Sequence, residues 1–461
     1  MPNLKASIGS VFRARALPPL LFGLCVWITA VGPVLDPNRQ IGDRDTWRLS
    51  YPTKLAFAQE LGRGRLELWD PWSEAGTSIL GQISPGLLHP FNALYLALPF
   101  SLAFKLNHLL GLLLGGIGAA LLARRFGAST WGALLAGIAF GGSGALLSAA
   151  ASNLPYALGP AAVPLALAGL LWVEEHFRPL RVFLAGVALA LCVAAGDPQS
   201  FYLAELLGAL WCAWIALRET WPRRLRQLAV FATWSLAGLS LSAPSWSPAV
   251  PQIRRSLRSS GAGSSKERAA FSVEPRRLAG IAIPVGFEGS GTQAADQPSP
   301  FAEYLSGQSK APFLDSICLA APALLLAAFG ARGRRGHYLI ASGALLILAS
   351  TGQALGVDTL LLKILPGWSW FRYSEKLIAP ASALIAVAAA RGADLVFGED
   401  RISARRLAIA AAAVAGVALI CAGLLGLDSG LVRSWLIERG RSHNPDAARA
   451  FTVGLSRGLL E

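Results

Sequence analysis

Long apolar stretches recur through almost the whole chain, separated by turns in which the charge is concentrated. A helix needs about 20 mostly apolar residues to cross the roughly 30 Å hydrocarbon core of a bilayer. Stretches near that length lie at 16–34, 101–123, 129–150, 157–173, 182–195, 202–217, 228–247, 314–330, 337–351, 376–395 and 407–427. No sustained two-residue alternation competes with them, which argues against a β-barrel. The pattern predicts an all-α polytopic membrane protein of about 11 transmembrane helices, with residues 1–427 as one multi-span domain and 428–461 as a short external segment. The stretch at 182–195 is short for a crossing and would be tilted or re-entrant; every later turn would change sides if it did not cross.

Composition agrees with a bilayer as solvent, since 54% of residues are hydrophobic and only 15% charged. The basic residues then give an orientation, because short cytoplasmic loops retain Lys and Arg. Lys5, Arg13 and Arg15 precede the first stretch, and Arg124–Arg125, Arg178–Arg181, Arg218–Arg226, Arg332–Arg335 and Arg401–Arg406 follow alternate later ones. The turns 151–156 and 196–201 contain neither Lys nor Arg. This predicts a cytoplasmic N-terminus and an external C-terminus, with external loops at 35–100, 252–313 and 352–375. The net charge of +14 is spread over many turns and is not gathered on one soluble domain, which makes nucleic acid a poor partner and membrane lipid or a phosphate-bearing substrate a better one. The five cysteines fall inside apolar stretches without C-x-x-C spacing and read as packing residues.

Chemistry is concentrated in the loops assigned outside. The first opens with Asp36, Asp43 and Asp45; carboxylates just beyond a span can deprotonate an acceptor hydroxyl or hold a divalent cation, or simply be solvated. Thr53 to Leu61 suits a short amphipathic helix on the membrane surface. Trp69-Asp70-Pro71-Trp72 and His89-Pro90-Phe91-Asn92 follow, where the tryptophans fit interfacial anchoring as well as sugar stacking, and a lone histidine is more often structural. At Gly196-Asp197-Pro198-Gln199, Asp197 reads equally as a helix cap and as a functional acid. In Trp368-Ser369-Trp370-Phe371-Arg372-Tyr373-Ser374-Glu375-Lys376, Arg372 and Lys376 suit a phosphate, with Glu375 as a neighbouring polar contact or an internal ion-pair partner. Neither a G-x-x-x-x-G-K-[ST] loop nor a G-x-G-x-x-G after a strand occurs, so a cytoplasmic nucleotide site is not expected.

The order of these features (GD in the first loop, then W-D-P-W, L-H-P-F-N, G-D-P-Q-S-F-Y, L-S-A-P-S-W-S-P-A-V-P-Q-I-R-R, and L-P-G-W-S-W-F-R-Y-S-E-K) resembles the YfhO-type bacterial membrane proteins, grouped with glycosyltransferases of the multi-span GT-C architecture. The resemblance runs from about residue 35 to 396. It implies transfer of a sugar from a polyprenyl-phosphate carrier to a cell-envelope acceptor outside the bacterial cytoplasmic (inner) membrane. It also implies Asp43 as the catalytic base or metal partner, with Asp45 as the close alternative. Substrate contacts are expected from Asp70, His89, Asp197, Gln199, Arg372, Glu375 and Lys376, the assignment of Arg372 and Lys376 to the carrier phosphate resting on charge and placement. Asp197 stands where many relatives have His. The residues name no definite cofactor; a divalent cation is compatible, though no His or acid spacing demands one. A transporter or flippase of a lipid-linked or anionic substrate, or a non-catalytic membrane subunit, is the competing reading; sparse charge within the spans and the lack of an internal repeat favour the transferase.

Overall fold

A computed structural model of the chain describes residues 32–42, 44–65, 69–70, 76–255, 271–283 and 312–398, with scattered positions at 23–28 and 405–416. The main elements are α1 (Tyr51–Gly62), a minimal hairpin of β1 (Trp69–Asp70) and β2 (Thr77–Ser78), then α2 (Phe100–Arg125), α3 (Thr130–Gly141), α4 (Gly144–Ser152), α5 (Leu154–Glu175), α6 (Pro179–Ala194), α7 (Pro198–Ala216), α8 (Trp221–Leu241) and α9 (Ala249–Arg255). They continue with α10 (Ala321–Gly330), α11 (Gly333–Ser350), α12 (Val357–Ile364) and α13 (Ile378–Phe397). The first and last apolar stretches, most of 252–313 and the segment 428–461 lie outside the described residues.

Every apolar stretch between 101 and 395 falls on or overlaps a helix, and the chain is a helical membrane protein. Length is another matter. Among the described residues three helices are long and apolar enough to cross a membrane, or up to 5 if each of two bent pairs is one span, against the eleven expected. The bends have local causes. Gly141-Gly142-Ser143 interrupts α3 and α4 by 42°, with the Ser143 hydroxyl accepting from Leu146 N to restart the helix. Pro244 breaks the chain after α8 by 52°, because it lacks the N–H a continuing helix needs. The stretch expected as a helix from 314 becomes one only at Ala321. Before that, Ser316 N bonds the Ser148 hydroxyl at 2.9 Å and Leu319 N bonds Ile281 O at 2.9 Å, so its backbone partners are non-helical.

Helix α13 is the axis of the bundle: its residues from Ile378 to Ala390 are all buried, as expected of a helix that is apolar all round. Small residues let neighbours come close. At Gly330 and Gly392 a Cβ would collide with the backbone of the facing helix, so α10 and α13 touch backbone to backbone.

Hydrogen bonds sort the turns into two ends. Arg125 donates to Glu175 at 2.5 Å, Arg181 to Trp172 O at 2.8 Å, Arg226 to Glu174 O at 2.6 Å and Arg391 to Arg332 O at 3.2 Å, which gathers the basic turns at one end. The turns at 81–87, 195–199 and 370–376 meet at the other. Helix α6 therefore runs from one end to the other, since Arg181 lies with Glu175 and the Asp197 turn lies with Lys376.

Candidate functional site

A cavity of about 430 Å³ occupies the end opposite the basic turns. Its walls come from four places: Gly81–Ser84 of the first loop, Tyr156 and the Gly196–Gln199 turn, Ala249, Gln252 and Ile253 of α9, and Trp370–Tyr373 with Lys376. Two glycines hold the first loop there. Gly86 has φ +57° and packs its Cα against Ala195 O; Gly196 has φ +92° and packs against Ser84 O. Any side chain at either position would meet both a left-handed backbone and the opposing carbonyl.

Inside this cavity Asp197 and Lys376 form a buried ion pair, Nζ to Oδ1 at 2.9 Å, with side chains 2% and 7% exposed. Asp197 sits at the cap position of α7 with Pro198 behind it, yet its carboxylate caps no backbone N–H. Its second oxygen instead accepts from Ser200 Oγ at 2.6 Å. The ammonium lies 3.5 Å from the centroid of the Tyr156 ring, a cation–π contact that helps hold a charge out of water. Gln199 is buried on the same wall, and Gln252 donates to Thr77 Oγ1 at 3.1 Å, tying α9 to the hairpin.

The turn that carries Arg372 is braced from behind. The Tyr202 hydroxyl donates to Pro366 O at 2.9 Å, Trp368 donates to Asp358 at 2.7 Å, and Tyr373 stacks on Phe313. Tyr373 has φ +62°, a strained conformation for a side chain of its size, and strain of this kind persists only where the surroundings enforce it. Trp370 projects outward with 69% of its surface exposed.

The expected site residues divide into groups. Asp197, Gln199, Arg372 and Lys376 come together around the cavity. Asp43 lies outside the described residues. Asp45 accepts from Asn153 Nδ2 at 3.1 Å, which fixes it beside the start of α5, three residues before Tyr156. Glu375 is fully buried away from the cavity lining: it pairs with Arg277 and accepts from Phe313 N at 2.8 Å, pinning the 271–283 and 312–314 segments beneath the turn. Asp70 belongs to β1, opposite Thr77, and is not part of the cavity wall. His89 is 2% exposed and caps a short 3-10 turn, its Nδ1 accepting from Phe91 N at 3.3 Å. Burial, and next the Lys54 charge, push its pKa down to about 3, so it stays neutral.

Tyr156, Ser200 and Gln252 were not singled out by sequence. Their signal was faint: Tyr156 lies in a turn free of Lys and Arg, and Gln252 in the P-Q-I-R-R run. Lys54 points inward from α1, donating to Gly86 O at 3.1 Å and Asn92 Oδ1 at 2.8 Å, where an amphipathic helix would have turned it outward. Among the described residues no group of three or more His, Cys, Asp or Glu is placed to hold a metal ion.

No family model matches the chain, and no curated protein matches it. Among solved structures it is similar to ArnT from Cupriavidus metallidurans bound to undecaprenyl phosphate, with 12% identity and a TM-score of 0.48 over 97% of this chain and 76% of that one. Arabinofuranosyltransferase AftD from Mycobacteria has 18% identity and a TM-score of 0.46 over 83% of this chain and 24% of AftD. The Archaeoglobus fulgidus oligosaccharyltransferase in the apo form has 13% identity and a TM-score of 0.44 over 86% of this chain and 52% of that one. All three are GT-C glycosyltransferases.

Proposed function

We propose that the chain is a GT-C-type membrane glycosyltransferase of the YfhO type that moves a sugar from a polyprenyl-phosphate carrier to an acceptor outside the bacterial inner membrane. The observation that carries this reading is the convergence of Arg372 and Lys376 with the first loop on one cavity. A transferase of this kind needs cations for the carrier phosphate, polar and aromatic groups for the sugar, and an acid for the acceptor. Gln199, Gln252 and the rings of Tyr156 and Trp370 supply the second requirement. For the third, Asp43 is assigned as general base, with Asp45 as its near alternative. Short basic turns remain cytoplasmic, so their collection at the opposite end supports an external cavity.

In this mechanism Asp43 takes the proton of the acceptor hydroxyl as its oxygen attacks the anomeric carbon. The bond from that carbon to the phosphate oxygen breaks, and the electron pair leaves with the phosphate. Arg372 offsets the charge that develops there. Lys376, already paired with Asp197, contributes a donor held in fixed orientation. The test is transfer from a labelled polyprenyl-phosphate sugar in vesicles containing the full chain. Asp43→Asn should lower it by about 10²–10⁴-fold and Arg372→Ala by about 10²–10³-fold, with insertion unchanged. Wild-type rates in both would remove the assigned roles; no transfer by the parent chain from any such donor, with uptake of the labelled lipid across the bilayer, would favour a flippase.

A further inference from the structure

A second cavity, of about 310 Å³, lies at the basic end, well apart from the proposed transferase site. Arg125, Arg226, Arg335, Glu174 and Glu175 line it together with the apolar side chains of Leu171, Trp211 and Ile215. Its two acids are engaged. Glu174 accepts from Trp211 Nε1 at 2.8 Å and from Gln227 at 2.9 Å. Glu175 accepts from Arg125 at 2.5 Å and lies 3.9 Å from Arg181. The arginines are not balanced in the same way. Arg226 donates to a neutral carbonyl, Glu174 O, and the side chain of Arg335 makes no hydrogen bond or ion pair among the described residues. Arg391 stands close enough to Arg335 to feel its charge and has a buried Nη1 with no hydrogen-bond partner. The cavity therefore combines an excess of guanidinium donors with an apolar wall.

Its surroundings indicate what carries the complementary charge. On α8, next to Arg226, Trp221, Leu225 and Leu228 are 67%, 47% and 60% exposed, an apolar strip on the outer face of a membrane protein. A basic pocket between helix ends beside such a strip fits a phosphate whose acyl chains lie along the strip, as basic inter-helix pockets hold anionic headgroups generally. We propose that this cavity binds the phosphate headgroup of an anionic membrane lipid, with Arg335 and Arg226 as its principal ligands. Guanidinium suits the role because its fork can meet two phosphate oxygens at once.

The experiment uses the full chain in detergent, with phosphatidylglycerol and phosphatidylcholine competing for retention, read by native mass spectrometry. Preferential retention of phosphatidylglycerol is expected, weakened about tenfold by Arg335→Ala, equivalent to ~1.4 kcal/mol. The control Arg332→Ala removes the same charge from the same turn without touching the cavity wall and should leave retention unchanged. Equal retention in the parent chain and Arg335→Ala would overturn the proposal, as would equal losses in Arg332→Ala, which indicate diffuse attraction. Titration with inorganic phosphate separates the two sources of the same chemistry: binding of free phosphate that is lost in Arg335→Ala, without any lipid preference, would assign the site to a soluble anion and refute the lipid. Transglycosylation need not be measured, so failure here leaves the transferase reading untouched.

Discussion

The two ends of the bundle are built from the same kinds of charge and use them differently. At the cavity end Asp197 pairs with Lys376, and Glu375 with Arg277, among side chains almost wholly removed from water. At the basic end the pair between Arg125 and Glu175 keeps 29% and 44% of its side-chain surface exposed. A buried pair gains little net stability over an apolar pair, but losing one partner strands the other charge. An exposed pair can be broken cheaply because water replaces the partner. The lesson is that charge near the cavity fixes geometry, whereas charge at the basic end stays available to ligands and to the membrane.

The contrast can be broken by substitution. Glu375→Ala is expected to destabilise the chain by about 3–5 kcal/mol, read as a loss of thermal stability in detergent, because Arg277 is left buried without its carboxylate. Lys376→Met should cost a similar ~3–5 kcal/mol, while the double change Asp197→Leu with Lys376→Met should recover most of it and still abolish transfer. That recovery would separate a role in chemistry from a role in folding. If the double variant is no more stable than the single ones, the pair is not electrostatically coupled.

A titration sharpens the comparison further. Burial lowers the pKa of Lys54 from 10.5 to about 7 in the folded chain. Between about 7 and 10.5 the unfolded chain holds a proton on this amine that the folded chain lacks, so stability must rise with pH across that window. Below it both forms are protonated and the contribution is flat. Thermal unfolding measured across that range should show this rise in the parent chain and lose it in Lys54→Met; identical profiles would refute the buried, unbalanced charge. The smallest effect belongs to the exposed end. Glu175→Ala should change stability by no more than about 1 kcal/mol, and less as salt is raised.

Much of the architecture was legible from sequence because helices in a bilayer announce themselves one at a time. Apolar length marked α2, α5 and α13, and the turns rich in Arg marked one end. The cavity was legible only in part. Gly-Asp-Pro-Gln and the Arg372–Lys376 segment stood out because polar groups beside a membrane are costly without a reason. What docks on them was not legible, since helix periodicity carries no information about which turn meets which. Arg277 lies about 100 residues before Glu375, and nothing local in either segment names the other. The role of Lys54 was not legible for a related reason: its helix reads as a surface element, but its inward face is set by Gly86 and Asn92. Among the described residues, Gly141-Gly142 and Pro244 divide two apolar runs that hydropathy alone treats as continuous, and α6 and α10 are shorter than a full span.

The paired glycines at 86 and 196 also impose an order of events on biosynthesis. The loop around Gly86 is made about 110 residues before the carbonyl it packs against, at Ala195. At roughly 5–20 residues per second, that leaves an interval on the order of ten seconds. During this interval the turn at Gly86 is held by bonds from within its own loop, from Lys54 and Asn92, and the cavity floor closes only after α6 has been delivered alongside α5.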